Sequence, residues 1–192
     1  MTLFDDSRSA NVLRPTSSDN ESNFLDPLRI WVSKILGLPP EVVRASWLQK
    51  PGTQPSINKD WCALAVKGAQ STPIYQFGKK GRIDDPESGD TTQVSHDDYQ
   101  VVISFYGPSA MFNAMRFRDG AQLLQNRRNL ESYGLTLIRL DPQTLRLPDF
   151  AGEQWIDRYD VEFHVGRKVS RTYGVRTVVS ADFDIFLERG KV

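Results

Sequence analysis

Apolar residues first recur at helical spacing near the start of the chain, between Asn23 and Gly37. Residues three and four positions apart share one helix face, so this spacing predicts a short helix. Asp26-Pro27 suits the first turn and Gly37 the C-terminal cap. Residues 1–22 carry only scattered apolar side chains among Ser, Asp and Asn, which predicts a flexible N-terminal tail. The apolar helix positions are Phe24, Leu28, Trp31, Val32, Ile35 and Leu36.

The next part of the chain combines strand patterns with one long polar segment. Glu41–Leu48 predicts a first strand, and the nearly all-apolar Trp61–Lys67 is typical of a strand covered on both faces. Apolar and polar residues alternate over Tyr99–Phe105, which predicts a strand with one face against the core. The glycine-rich, charged segment Gly78–Thr92 predicts a mobile loop.

A long helix is predicted from Ser109 to Ser132, before Gly134. Its apolar positions form two sides instead of one stripe, and a helix of this kind usually has two neighbours. We expect one neighbour to be the sheet of the same chain and the other to be a second subunit. The candidate subunit-interface residues are Met111, Met115, Phe117, Leu124, Arg127 and Arg128.

Strand patterns return after the long helix. The predicted segments are two short strands at Leu135–Leu140 and Thr144–Leu147, a loop at Pro148–Gly152, the longest strand over Trp155–Val165 and a last strand over Val175–Leu187. Helices and strands do not alternate regularly along the chain. This order predicts a single α+β domain over residues 23–192, with the long helix and the short N-terminal helix packed on a mostly antiparallel sheet.

Composition narrows the class of protein. The chain has 192 residues, 39% of them hydrophobic, and no apolar run of membrane-spanning length, so we expect a globular protein without a membrane partner. The first ten residues lack the basic and apolar regions of a secretory signal, so we expect the protein to stay where it is made. A net charge of zero argues against a protein whose main task is wrapping DNA.

Catalytic and metal-binding patterns are weak throughout the sequence. His96 and His164 lack the close spacing typical of zinc or iron ligands, and Cys62 lies in an apolar run that indicates a buried thiol. The segment Gly78–Gly81 lacks the spacing of a phosphate-binding loop. Asp157 and Asp160 fall on opposite sides of a strand. We therefore predict no catalytic residue, no cofactor and no metal site.

Charges are segregated along the chain. Gly166–Thr177 holds four cations and no acid, whereas Met1–Asp26 holds five acids against two arginines. An ordinary solvated surface explains such segregation, and so do oppositely charged faces that join neighbouring subunits head to tail. Besides a subunit that assembles with its neighbours, two functions remain open. One is a nucleic-acid-binding module that uses the cations from Arg167 to Arg176, and the other, less favoured, is a small metal-dependent hydrolase.

An ordered set of short segments resembles the neck terminator, or tail terminator-like, family of tailed bacteriophages. The resemblance extends over roughly Asn23 to Leu187 and depends on the order of the segments. They are Gly37-Leu38-Pro39, Val43-Arg44-Ala45-Ser46-Trp47, Asp60-Trp61-Cys62-Ala63, Ser104-Phe105-Tyr106-Gly107-Pro108, Arg118-Asp119-Gly120, Gln125-Asn126-Arg127 and Arg171-Thr172-Tyr173-Gly174-Val175.

The resemblance implies a structural virion protein and not an enzyme. Such a protein would form a ring, expected to be hexameric, that caps the tail tube, joins it to the head connector and leaves a channel for DNA. The implied partners are further copies of the chain, the tail tube protein, the head connector or head-completion protein, and passing DNA without sequence specificity. The implied location is the virion neck, with the host cytoplasm during assembly.

Charged residues in two segments are the candidate contacts with other rings or with the channel lumen. The first segment is the predicted mobile loop, and the second is the cationic run after Gly166. The candidate residues are Lys79, Lys80, Arg82, Asp84, Asp85, Arg167, Lys168 and Arg171.

Overall fold

The computed structural model describes residues 14–19, 24–46, 55–56, 58–76, 89–151 and 153–175. The chain divides into two units. The smaller unit comprises Met1–Asp19, Ile74–Val94 and Ser170–Val192, and the larger unit comprises Asn20–Pro73 and Ser95–Val169. Each unit is described separately.

Three helices, a short 3-10 turn at Pro40–Val42 and eight strands make up the described residues. The helices are α1 (Leu25–Leu36), α2 (Ala110–Ala121) and α3 (Leu124–Glu131). The strands are β1 (Pro15–Asp19), β2 (Val43–Ala45), β3 (Trp61–Gln76), β4 (Gly89–Tyr106), β5 (Leu135–Arg146), β6 (Asp149–Ala151), β7 (Gln154–Ile156) and β8 (Arg158–Val175).

The sheet of the larger unit runs in the order β5-β8-β4-β3-β2, and β6 and β7 form a separate two-stranded sheet. Strands β5 and β8 are antiparallel, whereas β2 and β3 are parallel, with Val43 opposite Cys62. In the smaller unit β1 pairs antiparallel with the end of β8, and Ser18 lies opposite Arg171. These elements confirm the predicted α+β class with a mostly antiparallel sheet.

The short N-terminal helix is confirmed as α1. Asp26 lies in its first turn and Lys34 in its last, where their charges interact favourably with the helix dipole. Gly37 adopts φ 68°, and its N–H donates to the Ser33 carbonyl at 2.9 Å. This left-handed cap ends the helix before Pro39 and Pro40.

The predicted long helix is divided into α2 and α3. Leu123 is extended, with φ −64° and ψ 134°, and separates the two helices. The Asn126 side chain donates to the Gly120 carbonyl at 2.8 Å, and the Leu123 N–H donates to the same carbonyl at 3.2 Å. These bonds satisfy a carbonyl at the end of α2 that a longer helix would have bonded internally, so the chain turns here.

Aromatic side chains from α1, α2 and the sheet form the centre of the larger unit. Trp31 and Phe117 meet edge to face with ring centroids 5.6 Å apart, and Phe163 lies 5.6 Å from Phe117. The Trp31 indole N–H donates to the Asn126 carbonyl at 2.8 Å. Phe117 is 0% exposed. Its place among the candidate interface residues is therefore corrected, because this core surrounds it completely.

Several predicted boundaries differ from the structure. Within the predicted strand Glu41–Leu48, of which the structure describes residues 41–46, the chain ends the 3-10 turn at Val42 and forms the three-residue strand Val43–Ala45. Residues 135–146 form one strand whose register shifts near Asp141, in place of two strands. The predicted loop at 148–152 contains β6, and the cationic run begins inside β8. A bulge can join two segments into one strand, and the alternation of apolar and polar residues along the sequence does not reveal it.

Two predicted mobile regions overlap described strands. Pro15–Asp19, within the predicted N-terminal tail, form β1 and pair with β8. Gly89–Thr92, at the end of the predicted mobile loop, begin β4. The remaining residues of both regions, apart from Arg14, lie outside the described residues, as do residues 176–187 of the predicted last strand.

The Cys62 thiol is buried in the core of the larger unit, and burial raises its pKa to about 12. Because only the thiolate is strongly nucleophilic, we expect alkylating reagents at pH 8 to leave the native protein unlabelled. Labelling should begin when urea unfolds the chain, and mass spectrometry of time points measures it. Fast labelling without denaturant would contradict the buried position.

The same burial links stability to alkaline pH. The folded chain holds the thiol proton more tightly than the unfolded chain, whose thiol has the usual pKa of 9.0. This contribution to stability is therefore complete below pH 9.0 and is lost as the pH rises toward 12. Relative to Cys62→Ala, the native protein should lose more free energy of unfolding over this interval.

Candidate interaction surfaces

Strands β6 and β7 form a short hairpin with one apolar face exposed. Phe150 and Trp155 lie directly opposite each other, with ring centroids 5.3 Å apart in an edge-to-face arrangement. Phe150 is 59% exposed and Trp155 is 72% exposed. Successive side chains of a strand point to opposite faces, so Ile156 points the other way and is buried. We call Asp149–Ile156 the aromatic hairpin.

The buried face of the aromatic hairpin is anchored on the sheet. Ile156 belongs to a small cluster with Ala63 and Tyr106, against which Trp61 packs. The rings of Trp61 and Tyr106 stack 4.1 Å apart at an angle of 7°. Burial raises the pKa of Tyr106. A two-stranded hairpin is barely stable alone in water, so this cluster explains how the exposed rings are held in place.

The two ends of the hairpin differ. Ala151 lies opposite Gln154, and Glu153, in the turn between them, adopts φ 66°. Left-handed conformations are typical of such turns and are costly for residues other than glycine. At the base, Arg146 donates two hydrogen bonds to Asp157, at 3.0 and 2.6 Å.

Further exposed apolar side chains lie in two pairs, one in the first turn of α2 and one where α3 begins, about 18 Å apart along the 12-residue helix α2. We call the two pairs together the helical patch. Phe112 is 72% exposed and Leu124 64%, and these values are high for residues of this size. The opposite side of α2 is buried in the core through Ala110, Ala114, Phe117 and Ala121. The helical patch consists of Met111, Phe112, Leu123 and Leu124.

The structure places the predicted interface residues in different environments. Met111 and Leu124 are in the helical patch, and Met115 is half-buried. The Arg127 guanidinium donates to the Leu137 carbonyl at 3.1 Å, which ties α3 to β5. Arg128 is exposed. Two of the six predicted residues thus lie in the helical patch, and its other two members, Phe112 and Leu123, were not among the predicted residues.

The candidate partner and lumen contacts are only partly described. Lys79, Lys80, Arg82, Asp84 and Asp85 lie outside the described residues. The guanidinium of Arg167 lies over the Phe24 ring, 5.8 Å from its centroid. Lys168 follows it on β8 and therefore points to the opposite face. In the smaller unit Arg171 lies opposite Ser18 of β1.

These positions bear on the nucleic-acid alternative. A cationic run that binds a phosphate backbone needs its charges on one accessible surface. Arg167 and Lys168 point to opposite faces of one strand, and Arg167 is half-buried against an aromatic ring. Arg167 and Lys168 therefore do not contribute to one shared cationic surface.

His164, which the sequence analysis considered as a metal ligand, is bonded to other side chains of the protein. The His164 Nδ1 atom lies 2.9 Å from an Asp98 oxygen, and its Nε2 atom lies 2.8 Å from Arg139 Nη2. An arginine only donates, so this geometry assigns Nε2 as the acceptor and Nδ1–H as the donor. Both ring nitrogens are thus engaged by protein groups and are not available to a metal in this arrangement.

The carboxylates of β8 are also engaged. Asp160 is buried and accepts bonds from Arg158 Nε at 2.8 Å and Nη2 at 2.5 Å. This hydrogen bonding is the main cause that raises the pKa of Arg158. Glu162 accepts from Lys67 at 2.5 Å and from Gln100 at 3.0 Å. Within the described ranges no group of three or more His, Cys, Asp or Glu side chains is arranged to hold a metal ion.

Residues of the ordered segments meet where β4 leads into α2. Asp60 accepts a hydrogen bond from the Ser109 N–H at 2.8 Å and so caps the start of α2 from a distant part of the chain. Gly107, with φ 103°, lets the backbone of Lys59 and Asp60 approach closely. These residues orient the helices on the sheet and thereby position the helical patch.

An α+β chain with paired polar groups and two exposed apolar surfaces has the features of a structural protein that works by contact. The family described as phage neck terminator protein matches residues 24–189. The chain belongs to this family, which confirms the resemblance seen in the sequence. Membership supports a structural role in the virion neck and contacts with other components of the head and tail.

Among curated proteins, none matches the chain. None of the helices within the described ranges combines the length and apolar character needed to span a membrane.

The aromatic hairpin is the main feature that sequence reasoning missed. Its signal is short: Gly152-Glu153 sits between two runs of three residues, each with one aromatic residue. A glycine-containing two-residue turn between apolar positions is a recognised hairpin pattern. Three-residue strands are too short for alternation to distinguish them from a loop.

Proposed function

We propose that this protein forms a ring, expected to be hexameric, that caps the tail tube and joins it to the head connector. The ring would leave a channel through which DNA passes without sequence-specific contact. Assembly would take place in the host cytoplasm. The family match over residues 24–189 is the observation that carries this proposal.

The exposed apolar side chains support an assembling subunit. Large apolar patches on soluble chains usually mark interaction sites, and here two such groups lie on defined elements, the aromatic hairpin and α2–α3. Burial of both in a ring would make the stability of the assembly depend on contacts between subunits. The net charge of zero supports a conduit that does not retain DNA electrostatically.

Removing the gene from a phage that carries it should abolish the joining of heads to tails. We expect electron microscopy of lysates to show filled heads separate from tails, or tails of uncontrolled length, and infectious titre to fall to background. Supplying the intact chain from a plasmid is the control and should restore joined particles. Joined, infectious particles in the deletion would contradict the proposed role.

A further inference from the structure

We propose that Glu153, in the turn of the aromatic hairpin, forms an ion pair with Arg127 and Arg139 of a second copy of this chain. The two arginines line a cleft between α3 and β5. This inference rests on the proposed ring and names one contact between its subunits. The hairpin and the cleft are different surfaces, so their contact is heterologous, and repeated heterologous contacts generate rings when the rotation closes.

The cleft, which we call the α3–β5 cleft, is small and positively charged. Its volume is about 160 Å³, whereas sites for small molecules usually have about 300–1,000 Å³. Among the described residues that line it, two are arginines and none is acidic. A cleft of this size accommodates one acidic side chain of a protein partner. The lining residues are Gln122, Arg127, Leu137, Ile138, Arg139 and Leu140.

A bulge in β5 brings an apolar and a cationic side chain to the α3–β5 cleft. The register with β8 shifts between Leu137 and Arg139, so Ile138 is the extra residue. Bulges bend a strand and change the direction of its side chains. A Cβ added at Gly166 would lie 3.1 Å from Ile138 Cδ1, so the Ile138 side chain lies over this glycine of β8. It is nevertheless 54% exposed and available to a partner.

The guanidinium groups of the two arginines are bonded only to neutral acceptors. Arg127 donates to the Leu137 carbonyl at 3.1 Å, and Arg139 donates to the His164 Nε2 atom at 2.8 Å. No carboxylate within the described ranges pairs with either arginine. Each guanidinium has five N–H donors, so both retain donors for a carboxylate.

Glu153 is the acid of the hairpin that remains available for such a contact. It is exposed, and no cation in the part of the chain that the structure describes pairs with it. Asp157 is paired with Arg146, and Asp149 contributes to the raised pKa of Arg158. The φ of 66° at Glu153 is costly for a residue other than glycine, and such strain is typical of functional sites.

Apolar side chains accompany the charges on both surfaces. The exposed rings of Phe150 and Trp155 lie on the hairpin beside Glu153. Ile138 lines the cleft, and the exposed Leu124 lies three residues before Arg127 on α3. Apolar contacts around a charged pair exclude water from it. A phosphate backbone is instead bound by cations spread over an open surface, so this arrangement favours a carboxylate of a protein.

The test reverses the charges in variants of the full chain. The hairpin variant is Glu153→Arg, and the cleft variant is Arg127→Glu with Arg139→Glu. The matched controls are Glu131→Arg and Arg128→Glu, because both residues are exposed on α3 and do not line the cleft. Circular dichroism checks that each variant folds. Mass photometry or light scattering, in about 0.15 M salt, measures oligomer size as concentration rises.

We expect the native chain and both controls to associate, and the hairpin variant and the cleft variant each to associate about 30-fold more weakly, because like charges meet. An equimolar mixture of these two variants should associate again. In the mixture each hairpin finds a cleft of opposite charge on the other variant, so the subunits alternate. Only a contact between Glu153 and the cleft arginines of different copies predicts this recovery.

Arg139→Glu alone keeps the test valid if the cleft variant does not fold. It preserves the bond from Arg127 to the Leu137 carbonyl that ties α3 to β5. We expect it to weaken association by about 10-fold and to associate more strongly when mixed with the hairpin variant.

Three results would overturn the inference: native association of either variant, a mixture that associates no better than its components, or a native chain that stays monomeric. If the cleft variant associates normally but loses salt-sensitive binding to duplex DNA, the arginines serve nucleic acid instead. Head–tail joining in the gene-deletion experiment tests the proposed function separately, so a wrong contact leaves that function standing.

Discussion

Replacing Gly107 with alanine is expected to destabilise the larger unit by about 3–5 kcal/mol. Gly107 adopts φ 103°, which disfavours any side chain, and an added Cβ would lie 2.6 Å from the Lys59 carbonyl oxygen and 2.7 Å from the Asp60 Cα. Those atoms belong to the backbone and cannot rotate away. Urea unfolding followed by circular dichroism, at a concentration where the chain is monomeric, measures the loss as a lower midpoint.

Gly134→Ala is the matched control for the conformational part of this effect. Gly134 adopts φ 72°, but an added Cβ would have no neighbour within 4 Å. It should therefore cost only about 1–2 kcal/mol. Equal losses in the two variants would show that the close approach of Lys59 and Asp60 to Gly107 does not contribute.

Replacing Trp31 with alanine should cost about 3–5 kcal/mol of stability. Trp31 is 1% exposed and contacts Phe117 and Phe163, so its removal leaves a large cavity between α1, α2 and β8. Trp31→Phe keeps a ring but loses the hydrogen bond to the Asn126 carbonyl, and about 1–3 kcal/mol should be lost. The same unfolding measurement ranks the two variants.

Trp155→Phe is the control for tryptophan substitution as such. Trp155 is 72% exposed, so we expect a change within about 0.5 kcal/mol. A loss at Trp155 as large as that of Trp31→Ala would mean that the hairpin is part of the core. A negligible loss at Trp31 would contradict its central position.

These stability effects separate folding from docking. Asp60, Gly107, Gly120 and Asn126 all lie in the segments that carry the family resemblance, and all four join helices to one another or to the sheet. Their substitution should abolish head–tail joining by lowering the amount of folded protein. Substitutions in the aromatic hairpin should abolish joining while leaving the subunit folded.

The segments that carry the family resemblance contain residues that hold the fold together, and this explains why they include no catalytic motif. These residues hold a cap at Ser109, a close helix contact at Gly120 and the stacked pair Trp61 and Tyr106. Each of these features positions backbone or surface, and none presents a reactive group. A family whose shared residues have such structural roles is recognised from the spacing and order of its short segments.

Local pattern alone determined much of the architecture. Helix α1 followed from apolar spacing and a glycine cap. The apolar run Trp61–Lys67 predicted the first part of β3, and the alternating run Tyr99–Phe105 predicted the last part of β4, because these signals reside in neighbouring residues, whereas the rest of both strands was not predicted. The α+β class followed from their order. Family membership could also be inferred from the sequence, because the ordered segments contain residues whose contacts the fold requires.

Only the tertiary structure decided which apolar residues face water. Phe112 and Phe117 are both aromatic residues of α2, yet the first is 72% exposed and the second is 0% exposed. The break between α2 and α3 depends on Asn126 reaching the Gly120 carbonyl, and the aromatic hairpin depends on a cluster formed by residues from β3, β4 and β7. Burial and such distant contacts are properties of the packed chain, and periodicity in the sequence does not contain them.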